Sequence, residues 1–276
     1  MYKSKKLIVL FIFSVTILTL QGCGGITDYF EELFDPTLMI IRGTETISGD
    51  GEVLTIVPGT TVRLKGSGRY LLGDGYAEVG QLILTNGAKL IANGETERII
   101  FETGDGGYGI TFEEDSSTNS VITYCELKEL SISIKNYFIN IKNNKFTETT
   151  IGCYLNSSPL IEYNIFDGES LLLTGIGISA EWGGDDSVSP IIRYNIIKYF
   201  YYGLTFYKSN TPIIESNNIT NCESYAVNWS TNGIISNNYI ADCNGKVSVD
   251  LTGEQSSGVK YQNPRSTPVE DAGCDW

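Results

Sequence analysis

From Val121 onward the apolar positions come in short bursts, each tied to an asparagine at a fixed offset. The phrase apolar-x-x-Asn-x-apolar reads Ile141-Lys-Asn-Asn144-Lys-Phe146, Ile161-Glu-Tyr-Asn164-Ile-Phe166 and Ile192-Arg-Tyr-Asn195-Ile-Ile197. It returns as Ile214-Glu-Ser-Asn217-Asn-Ile219 and Ile235-Ser-Asn-Asn238-Tyr-Ile240, and a degenerate first copy, Ile122-Thr-Tyr-Cys125-Glu-Leu127, carries Cys in the Asn place. The intervals between these places are 19, 20, 31, 22 and 21 residues. A second phrase, a small residue then apolar-x-apolar, follows each copy: Ser131-Ile132-Ser-Ile134, Gly152-Cys153-Tyr-Leu155, Gly175-Ile176-Gly-Ile178, Gly203-Leu204-Thr-Phe206 and Ala226-Val227-Asn-Trp229. Gly109-Ile110-Thr-Phe112 opens this second series and Lys246-Val247-Ser-Val249 closes it.

Self-similarity at a fixed period decides architecture before local propensity does. The bursts are short and alternating, and Gly, Asn and Pro separate them, which are strand and turn signals. A unit of this size cannot bury its apolar face alone, whereas stacked units share a continuous core. Each unit of about twenty residues therefore predicts one turn of a parallel coil, with the next turn roughly 4.8 Å away. The Asn is expected to adopt the left-handed backbone of a sharp corner and to bond the Asn amides above and below it in a ladder. Pro159, Pro190 and Pro212 stand just before the doublets Leu160-Ile161, Ile191-Ile192 and Ile213-Ile214, at strand starts where no ladder N–H is needed.

These residues resemble the right-handed parallel β-helix repeat family over Gly109 to Val249. The resemblance implies an all-β fold, a single-stranded right-handed solenoid with terminal caps, and is nearly silent about function. Ile47 to Thr103 continues the strand signal in a different texture, with Val53-Leu-Thr-Ile-Val-Pro58-Gly-Thr-Thr-Val62-Arg-Leu64 and Arg98-Ile-Ile-Phe101. It resembles the opening rungs of bacterial surface β-helix proteins, so 47–250 reads as one coil. Residues 23–46 read as a tether in which Thr27 to Phe34 is either a short helix that caps the open end of the coil or part of an unstructured leash. Residues 251–276 lose the repeat and are expected to close the chain irregularly, ordered at best in part.

The first 22 residues combine Lys3, Lys5 and Lys6 with an apolar run from Leu7 to Leu20, the pattern of an export signal, and the run is short for a membrane span. Leu20-Gln21-Gly22-Cys23 resembles the bacterial lipobox. That resemblance implies a diacylated Cys23 at the mature N-terminus, and Gly24 after it implies the outer membrane. The alternative is an ordinary secretory signal with a chance Cys.

Composition narrows the chemistry. The chain of 276 residues has no His and a net charge of −14. Absent His removes His-ligated zinc, Ser-His-Asp catalysis and the Cys-His pair. Without the first 22 residues, 16 basic residues face 33 acidic ones. So acidic a surface argues against nucleic acid or a bare anionic membrane as partner; cations, basic surfaces and neutral glycans remain, beside the plainer reading that acid keeps a flat β protein soluble. After Cys23 come Cys125, Cys153, Cys222, Cys243 and Cys274. Cys222 and Cys243 each lie five residues beyond their Asn, in equivalent places of adjacent rungs and within disulfide reach. Cys also serves as a small apolar filler, and buried free thiols are the favoured reading, with Cys153 in the core.

The 31-residue interval breaks the period. Its surplus falls mostly in Ala180-Glu-Trp-Gly-Gly-Asp-Asp-Ser-Val-Ser189, an insertion on a rigid scaffold and hence a place for binding residues. Trp182 offers a flat ring to a sugar, while Glu181, Asp185 and Asp186 offer hydroxyl acceptors or calcium oxygens. Tyr207 and Lys208 should stand beside the base of the loop. The alternative is a tolerated insertion whose Trp folds back on apolar surface. Glu113-Glu114-Asp115 reads as a solvated acidic corner, and alternation through Tyr199-Phe200-Tyr201-Tyr202 should send two of the four inward. The functional expectation is a lipid-anchored envelope protein that binds a glycan or surface partner without catalysis. No catalytic residue is assigned and no cofactor is required, calcium being the one candidate ion. The alternatives are a polysaccharide lyase, hydrolase or epimerase on the same fold, or a structural or adhesive spacer; glycosidase chemistry would need two facing carboxylates.

Overall fold

The computed structural model describes residues 35–67, 78–135, 138–168, 176–180, 188–206, 211–229, 233–249, 259–262 and 265–273. The lipobox Cys23 and the expected helix from Thr27 to Phe34 lie outside them. The described residues form 27 strands in three sheets of nine. In each sheet, neighbouring strands are three apart in chain order and pair in parallel. One rung is thus three strands, one per sheet, and the chain is a right-handed parallel β-helix. The first sheet runs from Leu38–Arg42 to Tyr239–Ala241, the second from Thr44–Ser48 to Gly245–Val249, and the third from Val53–Ile56 to Val259–Gln262.

The apolar phrases become columns of core. In the third sheet Ile122, Ile141, Ile161, Ile192, Ile214 and Ile235 lie in register, rung upon rung. In the second, Ile110, Ile132, Ile151, Ile178, Leu204 and Val227 do the same. The first contributes Leu127, Phe146, Phe166, Ile197 and Ile219, with the Phe146 and Phe166 rings stacked at 4.4 Å and 3°. Nearly all of these side chains have no solvent contact. Cys153 is buried among them, as its inward slot predicts. Pro159, Pro190 and Pro212, though without N–H groups, accept ladder bonds through their carbonyls from Ile191, Ile213 and Ile234 at 2.9–3.0 Å.

The corner chemistry differs from expectation in one respect. The left-handed residue is the one before each ladder Asn, and before Cys125 in the first copy: Tyr124, Asn143, Tyr163, Tyr194, Ser216 and Asn237, all at φ 55–56°. A second left-handed residue ends the first-sheet strand five positions on, as in Glu148, Tyr199, Asn221 and Asp242. The Asn itself is free to point inward, and there it builds the predicted ladder. Asn144, Asn164, Asn195 and Asn217 each donate from Nδ2 to the Oδ1 of the next Asn, at 2.9–3.1 Å, ending on Asn238. The same oxygens accept the backbone N–H of the rung before, including that of Cys125 at 2.8 Å. The ladder is buried throughout.

Both ends depart from the expected boundaries. Leu38–Arg42 already pairs with Thr61–Lys65, so the coil starts ahead of Ile47. The expected tether hides this strand because Met39-Ile40-Ile41 is apolar without alternation. At the other end Val259–Gln262 adds a third-sheet strand on Gly233–Ser236. Residues 265–273 then cross the outer face of the first sheet. Arg265 bridges Tyr239, Val269 exchanges bonds with the Asn218 side chain at 2.7 and 3.0 Å, and Gly273 N–H reaches the Tyr194 carbonyl at 2.7 Å. Gly273 also lies against the outward side chains of Ile196 and Ile165. This part of the expected irregular tail is a strap, and its Val269 is 6% exposed.

Candidate functional site

The residues singled out in the sequence, Glu181, Trp182, Asp185, Asp186, Tyr207 and Lys208, lie outside the described residues. The strands that carry them are described. Ile176–Ala180 and Tyr202–Phe206 are neighbours in the second sheet, with Ala180 opposite Phe206, so positions 181 and 207 leave from adjacent rungs on the same edge. The positions that alternate outward in this sheet stand in register as Thr111, Ser133, Gly152, Ser179, Thr205 and Asn228, of which Thr111, Gly152 and Thr205 are buried.

The aromatic run follows a different rule from simple alternation. Only Phe200 is buried; Tyr199, Tyr201 and Tyr202 are half-exposed. Tyr199 sits at φ 62°, and that corner resets which side the next residue faces. Three tyrosines are thereby turned outward rather than two. Tyr201 and Tyr202 meet edge to face at 4.6 Å.

Tyr201 forms one wall of a cleft of about 300 Å³, completed by Glu223, Ser224, Tyr225, Asn244 and Gly245. The cleft lies on the corner between the first and second sheets, across three successive rungs. Backbone bonds fix its frame: Ser224 N–H donates to the Tyr201 carbonyl at 2.9 Å, Gly245 N–H to that of Ser224 at 2.6 Å, and the Asn244 amide to the Glu223 carbonyl. Tyr202, Tyr225 and Gly245 share one register position. A Cβ on Gly245 would stand 2.1 Å from the Tyr225 ring, so the ring lies on bare glycine backbone and is 37% exposed. These residues escaped the sequence reading because the cleft is built between rungs. The available signal was the outward Tyr at equal places in two copies, followed by Gly in the third.

Directly beneath, Cys222 and Cys243 occupy the corner one residue before Glu223 and Asn244. Both are free, as are Cys125 and Cys153. Cys222 N–H donates to Cys243 Sγ at 3.3 Å, and each thiol lies against the carbonyl two residues earlier, Thr220 at 3.8 Å and Ala241 at 3.3 Å. Thr149 fills the equivalent corner with a hydroxyl that takes the Leu130 N–H at 3.5 Å and donates to the Thr147 carbonyl at 3.0 Å. Cys125 likewise lies against the Thr123 carbonyl, at 3.3 Å. A thiol-to-thiol hydrogen bond with Cys243, then burial, pushes the Cys222 thiol up, and the same side-chain bond draws the Cys243 thiol down. Burial pushes the Cys125 and Cys153 thiols up to about 12, against the backbone hydrogen bonds that lower Cys125.

Carboxylates elsewhere are bound into inter-rung pairs. On the outer face of the third sheet Glu162, 6% exposed, sits between Lys142 at 3.2 Å and Arg193 at 2.9 Å, and Arg193 reaches on to Glu215 at 3.9 Å. Asp167 pairs with Lys198 at 2.9 Å and Glu102 with Arg63 at 2.7 Å. In the acidic corner Glu113 pairs with Lys135 at 2.9 Å, while Asp115 accepts the Thr85 hydroxyl at 2.7 Å, which holds its carboxyl below the usual range. Among the described residues no three Cys, Asp or Glu side chains gather as a metal would need.

A family model described as the right handed beta helix region matches residues 96–240, more than half of the chain. The protein belongs to that family. No curated protein and no solved structure matches it. The matched span opens just before the third rung and closes at the last ladder Asn and its following strand, so it holds the whole Asn ladder of this β-helix. It also takes in Tyr201 and Tyr225 of the cleft and leaves Asn244 and Gly245 beyond its edge.

Proposed function

We propose that this β-helix is a non-enzymatic module, lipid-anchored through Cys23 in the bacterial outer membrane, that binds an extended glycan along the flank bearing the cleft. The observation that carries the reading is the half-exposed Tyr225 ring lying on Gly245 beside Glu223 and Asn244. A flat ring suits the C–H face of a sugar, a carboxylate accepts hydroxyl protons, and an amide both gives and accepts them. The volume lies at the small end of the roughly 300–1,000 Å³ usual for ligand sites, which suits one sugar unit per cleft. Equivalent corners recur at each rung, roughly 4.8 Å apart, and offer a polymer evenly spaced secondary contacts. Glu181, Trp182, Asp185 and Asp186, with Tyr207 and Lys208, follow the opposite ends of second-sheet strands, past Ala180 and Phe206, and would supply a second contact for the same polymer.

The soluble form beginning after Cys23, applied to a glycan array, tests the reading. Tyr225→Ala should weaken the recovered binding about tenfold, the worth of one aromatic contact of 1–1.5 kcal/mol. Binding that is indifferent to Tyr225 removes the cleft from the site. Turnover of acidic or neutral polysaccharides, with or without calcium, would make the protein an enzyme instead. Cys23→Ala should abolish lipid labelling, and unchanged detergent partitioning of that variant would remove the anchor.

A further inference from the structure

The corner beneath the cleft holds the two thiols that face each other between consecutive rungs. We propose that Cys222 and Cys243 form a reversible disulfide, closed by exchange with an external disulfide, that staples the last two rungs together. The register on either side is set by Thr220 opposite Ala241 and Tyr225 opposite Gly245. Equivalent Cα atoms on paired strands lie about 4.8 Å apart, inside the roughly 4.4–6.8 Å that disulfides span. Closure asks the Cβ atoms to draw in to about 4 Å. The corner can give that much, because residues 221–224 of one rung face only 242–244 of the next. The Cys222 N–H at 3.3 Å from Cys243 Sγ shows that the second sulfur already points at the first residue.

The two sulfurs differ in access. Cys243 is half-buried and Cys222 is 2% exposed, so exchange begins on Cys243. Its thiolate attacks one sulfur of the external disulfide and displaces one external thiolate, leaving a mixed disulfide. Cys222 then loses its proton to the released thiolate, and its sulfur attacks Cys243 Sγ, displacing the second external thiolate, which takes a proton from water. Two protein S–H bonds and one external S–S bond become one protein S–S bond and two external S–H bonds. Two electrons pass to the external disulfide. The hydrogen bond from Cys222 favours the thiolate of Cys243 at the start, and capping Cys243 removes the neighbouring charge that opposes ionisation of Cys222. Cys125 and Cys153, buried in the core with thiols pushed to about 12, take no part.

The test is oxidation of the full chain with glutathione disulfide, acid quenching, alkylation and peptide mapping without reduction. The expected product joins the Cys222 and Cys243 peptides with loss of two hydrogens. The thermal midpoint should rise by roughly 5–10 °C, from closing a 21-residue separation in a domain of this size, and dithiothreitol should reverse it. Cys222→Ser and Cys243→Ser should each lose both the link and the rise while keeping the reduced midpoint, since Thr149 already fills such a corner with a hydroxyl. A stable glutathione adduct on Cys243 alone, a link to Cys274, or a link without any rise would overturn the proposal. If a serine variant fails to fold, the peptide map of the unaltered chain still decides.

Discussion

Asn195 shows how one residue type holds the coil at its sharpest corner. Its Nδ2 lies 2.9–3.0 Å from the Ile161 and Arg193 carbonyls and from Asn217 Oδ1, while its own Oδ1 takes both the backbone and the side-chain N–H of Asn164. Asn sets two donor hydrogens and an acceptor oxygen on one short side chain, where a hydroxyl offers only a single donor. Asn195→Leu would strand buried groups on two rungs, since Ile161 and Arg193 lose a donor and Asn164 loses an acceptor. Each stranded group costs about 1–3 kcal/mol when some relaxation is allowed, so the variant should lose about 2–4 kcal/mol in urea denaturation. A loss of a few tenths would mean that water replaces the ladder. The Asn spacing was legible in the sequence because the ladder demands identity at every rung. Which residue carries the left-handed turn was not, because Tyr, Ser and Asn all serve there and leave no common signature.

At the scale of elements, the regular strands were readable and the exceptions were not, for reasons of geometry. Alternation reads inward and outward faces correctly within a strand, but a left-handed corner shifts the phase, as between Tyr199 and Phe200. The strap of residues 265–273 has no repeat, so nothing in its sequence says that it returns along the first sheet. It is nevertheless an element of the fold: Val269 is buried, both polar groups of the Asn218 side chain are satisfied by it, and Gly273 covers Ile196 and Ile165. Covering outward apolar residues on a sheet also removes an adhesive surface. Val269→Asp would set an unpaired carboxylate in that seam and should release the strap. The expected result is a fall of several degrees in thermal midpoint together with new protease cuts between residues 263 and 273. A variant as resistant as the parent would reduce the strap to a passive tail.

For the whole molecule, the stack explains both why the fold was legible and why the function was less so. A solenoid repeats its architectural residues and places its particular ones where the repeat fails, so periodicity reports the scaffold and is blind to clefts made between copies. Two irregular places border opposite edges of the second sheet: the cleft around Tyr225 at its corner with the first sheet, and the insertion after Ala180, with Trp182 and three acids, where the chain leaves toward the third. Their contributions can be separated because stability here is close to a sum over rungs and their interfaces. Ile176–Ala180 is paired on both sides, to Thr150–Cys153 and Tyr202–Phe206, and Ile191–Arg193 is paired to Leu160–Glu162 and Ile213–Glu215. Excising Trp182 to Asp186 therefore removes no residue of these ladders, and the thermal midpoint should stay within a degree or two of the parent. Glycan binding should weaken by roughly tenfold if Trp182 stacks on the ligand, and Tyr225→Ala should add a further, independent loss if one polymer spans both places. Chelation should reproduce the excision if Asp185 and Asp186 hold calcium, and should change nothing if they take hydroxyl protons directly. If the excision instead unfolds the coil while ligand binding survives, Trp182 is part of the core and Tyr225 alone marks the binding flank.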